Sequence, residues 1–139
     1  MNSRGFTLIE LIAVLLLVSI LSAVAFSRFS NGDISKVQSS RDHLVAALLF
    51  AQQIAMARDS SANPIRLTTT ANSVTVTESG VDLLYAGIQY PLVLPTGVTL
   101  TPALTLDYNK LGETSATSFA LSAGGVSANV TLSASGYAD

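Results

Sequence analysis

The chain has 139 residues, one domain's worth, and at 49 % hydrophobic and 12 % charged it is not the polar, highly charged composition of a disordered protein. With no Cys and one His, disulfide frameworks, thiol catalysis, Cys-ligated zinc and a two-His site within one subunit are excluded. Seven Lys+Arg against nine Asp+Glu leave a net charge of −2, so no basic excess draws the chain to nucleic acid.

Hydropathy is concentrated at one end. Phe6 to Phe26 reads FTLIELIAVLLLVSILSAVAF, with Glu10 as its single charge. As a helix this run rises roughly 31 Å, the hydrocarbon thickness of a bilayer, and predicts one membrane crossing. A secretory signal is the rival reading, with Arg4 as its basic start and Ala23-Val24-Ala25 as an A-x-A cleavage pattern that would leave Phe26 first. Against it stand the brevity of the basic leader and the carboxylate inside the run. An acid at membrane depth costs about 2.5–3.5 kcal/mol at the centre on insertion scales, less near the end, and calls for a charged partner. No Lys or Arg inside the run supplies one.

Beyond Phe26 the segment Ser27-Arg28-Phe29-Ser30-Asn31-Gly32-Asp33 is polar. A helix break is expected at Asn31 and Gly32, with Asp33 as N-cap of a second helix. Arg28 serves equally as a headgroup anchor or as a partner for an acidic neighbour. From Ile34 to Arg58 the pattern is helical: Ile34, Val37, Leu44, Leu48, Ala51 and Ala55 form one apolar stripe, bordered by Val45 and Gln52. Phe50 and Ile54 fall nearly opposite, so from Leu44 to Ala57 the helix is apolar almost all round and must be covered on both sides, by a wrapping second sheet or by a neighbouring subunit.

Past residue 63 the periodicity changes. Alternating or β-branched runs at 64–70, 73–79, 98–101, 104–108, 118–122 and 126–133 are punctuated by Ala71-Asn72, Pro95-Thr96-Gly97 and Gly124-Gly125. These predict antiparallel strands and an α+β fold, a long N-terminal helix against two small sheets. The expected domains are a leader at 1–5, a transmembrane and assembly helix at 6–30 and an extracytoplasmic head at 31–139. Residues 27–139 carry six cations (Arg28, Lys36, Arg41, Arg58, Arg66, Lys110) against eight carboxylates (Asp33, Asp42, Asp59, Glu78, Asp82, Asp107, Glu113, Asp139), so the head is mildly acidic.

Gly5-Phe6-Thr7-Leu8-Ile9-Glu10, after a short basic leader and before the apolar run, resembles the processing signature of type IV prepilins and type II secretion pseudopilins. The resemblance implies that a prepilin peptidase cuts between Gly5 and Phe6 and methylates the new amino terminus. It implies that Glu10, with Thr7 beside it, acts in assembly by facing the amino terminus of a neighbouring subunit. Because Glu10 lies four residues beyond Phe6, staggered neighbours, the geometry of a helical filament, would bring carboxylate and ammonium level. Many major pilins carry Pro and Gly helix breakers where this chain has Ser27 and Ser19, and a C-terminal disulfide that a Cys-free chain cannot form. The small-residue helix end feeding Ile65-Arg66-Leu67-Thr68, the turn Leu106 to Gly112 and the segment Val130 to Ala138 are similar to the minor pilin and pseudopilin branch, including minor pilins of the mannose-sensitive haemagglutinin pilus. The implied location is the bacterial inner membrane, head in the periplasm, and then a filament of other pilin or pseudopilin subunits joined through the N-terminal helix.

No enzymatic chemistry, cofactor or metal is expected. Asp42 and His43 are adjacent on a helix and point about 100° apart, so they cannot act as orienter and base. The carboxylates are scattered, with no D-x-D-x-D-G calcium loop. Related minor pilins that take up DNA end in a Gly-Arg-x-Arg tail; this chain has no cation after Lys110 and runs Gly136-Tyr137-Ala138-Asp139, so nucleic acid is not an expected partner. Tyr85, Tyr90 and Tyr137 are candidates for adhesive contact, with burial or a sheet edge as the commoner place for such rings.

Overall fold

The structure, a computed structural model, describes residues 7–29, 32–58, 62–85 and 87–139, with backbone alone for residues 23–29, Tyr85 and Ile88. The chain divides into two compact units, one running to Gly32 and the other Asp33–Asp139.

The first unit is helix α1, Leu8–Phe29. Its side chains from Leu8 to Ser22 are all exposed, Leu8 at 76 % and Leu21 at 61 %. The two serines in this apolar stretch turn their hydroxyls back onto the helix. Ser19 Oγ donates to Leu15 O and Ser22 Oγ donates to Val18 O, both at 2.7 Å, so neither asks for an outside partner. The helix runs unbroken through Ser19, as a serine in place of a breaker glycine allows. Among the described residues no helix is long and apolar enough to cross a membrane. Leu8 to Ser22 rises roughly 22 Å, short of the ~30 Å core, and the rest of the predicted Phe6–Phe26 span falls on residues or side chains outside the described set.

In the second unit, α2 (Gly32–Ala57) packs on antiparallel sheets. Gly32 is its first residue, and Asp33 is not the N-cap that the sequence predicted but stands inside the first turn, bonded at 3.3 Å to Lys36. A carboxylate there opposes the positive end of the helix dipole without capping it. The buried stripe is Val37, Leu44, Leu48, Ala51 and Ala55, joined by Ser40, Ala47 and Phe50. Ile34, assigned to that stripe from its spacing, is 46 % exposed, although the turn at Gly124 lies against its neighbour Asp33.

Strands β1 (Ile65–Thr69), β2 (Ser73–Glu78), β3 (Val81–Asp82) and β8 (Thr105–Tyr108) lie in the order β3-β2-β1-β8, with β6 (Leu92–Val93) also paired to β2. Ile65 opposes Tyr108, and Leu67 stands between Val76 and Leu106. All five are buried, as residues directly opposite on paired strands share a face. The second sheet runs β10-β9-β7, Val126–Leu132, Thr117–Ala123 and Thr99–Thr101, with Leu100 opposite Leu121 and Val130 opposite Phe119. Gly124 and Gly125 join β9 to β10, both with positive φ, as a two-residue hairpin of the primed type requires. Both inner faces meet α2 in one hydrophobic core.

Residues 80–94 carry four strands that the periodicity did not show: β3, β6 and the hairpin β4-β5 (Leu84–Tyr85 with Ile88–Gln89). Each is two residues long, too short to alternate visibly. This segment supplies the second cover for α2, for Tyr90 is buried and stacks on Phe50 with ring centroids 6.1 Å apart and planes 8° from parallel. The head thus covers Phe50 with its own chain.

The C-terminal residues close by hydrogen bonds. Thr131 and Asp139 exchange both N–H···O bonds, at 2.9 and 3.1 Å, and Ser133 N–H donates to Tyr137 O at 2.9 Å. Gln52 Nε2 of α2 donates to Ser135 O at 2.8 Å, tying this turn to the helix.

Candidate functional site

Thr7 is the residue before α1, and Glu10 stands three positions later, the spacing at which each side chain reaches the other's backbone amide. Thr7 Oγ1 accepts from Glu10 N–H at 3.3 Å. Glu10 Oε2 accepts from Thr7 N–H at 3.2 Å and from the Thr7 hydroxyl at 3.1 Å. This closed capping box satisfies backbone donors that a helix start otherwise leaves unpaired and sets a negative charge at the positive end of the dipole. In an apolar surrounding both effects grow, since an unpaired N–H or carboxylate is then most costly.

The carboxylate therefore does not project sideways from its own level. It folds back along the axis to the level of Thr7. Glu10 and Thr7 are brought together; Gly5, Phe6 and Asn31 lie outside the described residues, as does the side chain of Arg28. Sequence reading singled out Thr7 and Glu10 for assembly but missed the bonds between them. The signal was present, as Thr-x-x-Glu ahead of an apolar run is a capping-box signature.

Elsewhere the polar side chains pair for structural ends. Arg58 at the close of α2 bonds Glu78 of β2, and Arg66 bonds Asp107 across β1 and β8 at 2.7 Å. The hydrogen bond and charge of Asp107 hold the exposed Arg66 guanidinium above its ordinary pKa. An open cleft of about 480 Å³ is lined by Asp107, Asn109, Glu113, Thr114, Ser115 and the turn at Ala134 and Ser135. Its carboxylates are engaged, Asp107 with Arg66 and Glu113 accepting from Asn109 Nδ2 at 2.7 Å. Among the described residues no three His, Cys, Asp or Glu gather as metal ligands. His43 is exposed on α2. Of the tyrosines considered for adhesion, Tyr90 is buried, Tyr137 is exposed and the Tyr85 side chain lies outside the described set.

No curated protein and no solved structure matches the chain. Residues 1–26 match the family model of the prokaryotic N-terminal methylation motif, a segment that takes in the leader, the Gly5–Phe6 bond and the Thr7–Glu10 box. The match to that motif is consistent with a type IV pilin-like chain that a prepilin peptidase processes, and the described residues form an α+β fold, a helix packed on antiparallel sheets.

Proposed function

We propose that the chain is a minor subunit of a type IV pilus filament. A prepilin peptidase hydrolyses the Gly5–Phe6 bond, leaving a carboxylate on Gly5 and an amine on Phe6, and then transfers to that amine a methyl group from a sulfonium methyl donor, which departs as the thioether while the amine loses a proton. The segment from Phe6 to about residue 30 holds the subunit in the bacterial inner membrane with the head, residues 31–139, on the periplasmic side, and later packs among other pilin subunits with Glu10 facing a terminal ammonium. The methylation motif over residues 1–26 carries this reading. The outward apolar side chains of Leu8 to Leu21 support it, because a helix with this much exposed apolar surface needs lipid or other helices around it. The minor branch rests on the resemblance of the helix end and late strands, and the acidic head speaks against DNA uptake.

Intact mass of the membrane-extracted protein tests the processing: a mature chain beginning at N-methylated Phe6 is expected, and Gly5→Leu should leave the leader attached. A chain beginning at Phe26 would establish a secretory signal instead. Glu10→Ala should still insert and fold yet fail to co-purify with pilins. Undiminished incorporation of Glu10→Ala would refute the assembly role, and the subunits that co-purify with the wild type separate a pilus from a type II secretion pseudopilus.

A further inference from the structure

Several sheet edges in the head are covered by other parts of the chain. Strands β3 and β6 lie along one edge of β2, and Leu100 N–H of β7 donates to Ala71 O at 2.9 Å. On β10, Thr131 exchanges two bonds with Asp139, and Arg41 Nε donates to Asn129 O at 3.3 Å. Strand β8 ends its sheet on the side away from β2. Thr69 N–H donates to Leu104 O at 2.8 Å, and Thr68 stands opposite Thr105. Bonded positions alternate in an antiparallel pair, so Leu106 and Tyr108 bond β1, while Thr105 and Asp107 turn their N–H and C=O groups to the outer edge. There the Thr114 hydroxyl donates to Asp107 O at 3.0 Å. Thr105 N–H, Thr105 C=O and Asp107 N–H have no partner among the described residues. The open cleft of about 480 Å³ borders this edge, since Asp107 and Thr114 both line it. A strand residue takes up roughly 160 Å³ of sheet, from a rise of about 3.4 Å, a strand spacing of about 4.8 Å and a sheet spacing of about 10 Å, so the cleft has room for about three residues.

We propose that β8 is a docking edge that takes an extended segment of a partner polypeptide as an added antiparallel strand, with a Lys or Arg set against Asp107 and an apolar residue on either side of it. The lining of the cleft holds two carboxylates, Asp107 and Glu113, and no cation. Asp107 is matched by Arg66. Glu113 accepts from the neutral Asn109 side chain at 2.7 Å and has no ion-pair partner among the described residues. A residue directly opposite Asp107 shares its outer face, so a basic side chain there meets the carboxylates of the cleft. Its two neighbours turn to the inner face, the side on which Leu106 and Tyr108 are buried, and apolar side chains suit that side. Main-chain bonds to the edge supply affinity, and the alternate side chains choose the partner. A bare edge invites any exposed strand, and the carboxylates here select against acidic ones. The inference concerns the head and does not depend on the processing proposed above.

The test titrates the full-length ¹⁵N-labelled protein, in zwitterionic detergent micelles, with the acetylated and amidated pentapeptide TVKVT while its amide signals are followed by NMR. The Thr105 and Asp107 amides should shift and exchange more slowly with solvent. The peptide TVEVT, and TVKVT N-methylated at the two amides that would donate to the edge, should each bind at least about 5-fold more weakly, the loss expected when one ordinary hydrogen bond is removed or a charge is opposed. Glu113→Gln should weaken TVKVT roughly 2- to 5-fold, as for an exposed ion pair. Thr105→Pro removes an N–H that bonds nothing in the protein, at the first residue of an edge strand where proline is tolerated, and should weaken TVKVT about 5-fold. Should that variant disturb the head, the N-methylated peptide makes the same test on the wild type. Shifts confined to residues away from β8 would overturn the docking edge, as would the absence of any shift at millimolar TVKVT. Equal affinities for TVKVT and TVEVT would overturn the basic partner.

Discussion

Gly136→Ala tests whether the closure of the C-terminal turn onto α2 is as tight as its geometry indicates. Gly136 has φ 82°, and an added Cβ would run into the Gly112 carbonyl oxygen and stand 2.8 Å from Gln52 Nε2. The left-handed backbone alone costs an alanine about 1–2 kcal/mol. Relief of the collision requires the turn to lift from its neighbours, at the expense of the Gln52 Nε2 bond to Ser135 O at 2.8 Å and the Thr114 N–H bond to Ala134 O at 3.0 Å. Those two bonds contribute about 0.5–1.5 kcal/mol each, for a total loss of roughly 2–5 kcal/mol. Gly80 provides the control, since it has nearly the same φ, 83°, and nothing within 4 Å of the added Cβ; Gly80→Ala should cost the backbone strain and no more. Gly112→Ala should fall between the two, because its Cβ would meet the movable side chains of Gln52 and Met56. In a domain of this size each kcal/mol moves the melting temperature by about 4–8 °C, so thermal unfolding followed by circular dichroism resolves the order. Equal melting temperatures for Gly136→Ala and Gly80→Ala would refute the steric account.

Tyr108 is buried on β8, its hydroxyl has no hydrogen-bond partner among the described residues, and burial pushes its pKa up from the ordinary value. The folded state therefore holds the phenol proton more tightly than the unfolded chain, so head stability should be unaffected below about pH 10 and fall as pH rises beyond it; Tyr108→Phe should lessen that alkaline loss and leave neutral-pH stability equal or higher, read from urea midpoints at pH 7 and pH 11. A fragment beginning at Lys36 should be a soluble α+β domain, mainly monomeric by light scattering. It carries five cations against seven carboxylates, and a mobility-shift titration at about 150 mM salt, where surface charges are screened beyond roughly 8 Å, should show no micromolar binding to duplex DNA; such binding would favour DNA uptake.

What the sequence revealed depended on the length of each pattern. Six runs of alternating or β-branched residues lie where β1, β2, β7, β8, β9 and β10 form, since four or more residues of period two mark a half-buried strand. The four strands between Val81 and Val93 escaped notice because a two-residue strand has no period. Their consequence was visible from the other side: Phe50 and Ile54, opposite the main stripe, required a cover, though its identity as Tyr90 depended on a chain path that local pattern does not encode. Ile34 shows a second limit of local pattern. Helical spacing assigns a residue to a face, but burial depends on what the rest of the chain places over that residue, and Ile34 is 46 % exposed. At the helix start, Thr7 and Glu10 were singled out for a partner beyond the chain, while the bond each makes to the other was a local rule readable from four residues.

The two units treat apolar surface in opposite ways. In the head, α2 is apolar nearly all round from Leu44 to Ala57, and two sheets with the Tyr90 segment bury Leu44, Ala47, Leu48, Phe50, Ala51 and Ala55 there. In α1, Leu8 through Leu21 face outward, while Ser19, Ser22, Thr7 and Glu10 satisfy one another or their own backbone. A helix that satisfies its polar groups internally and turns its aliphatic side chains out is equally at home among lipid tails and among other helices like itself. On the proposed reading, assembly moves α1 from one such surrounding to the other, and lipid tails are as apolar as leucine, so the transfer yields little hydrophobic free energy. Close packing gains the same order for any aliphatic neighbour and does not choose among registers. From Leu8 to Ser22, the part of α1 whose side chains are described, the one charged group is Glu10. On the proposed reading, a helix slid along its neighbour by one turn keeps its aliphatic contacts but moves the Glu10 carboxylate about 5 Å from the ammonium it would meet, so the charge and not the aliphatic surface would select the register.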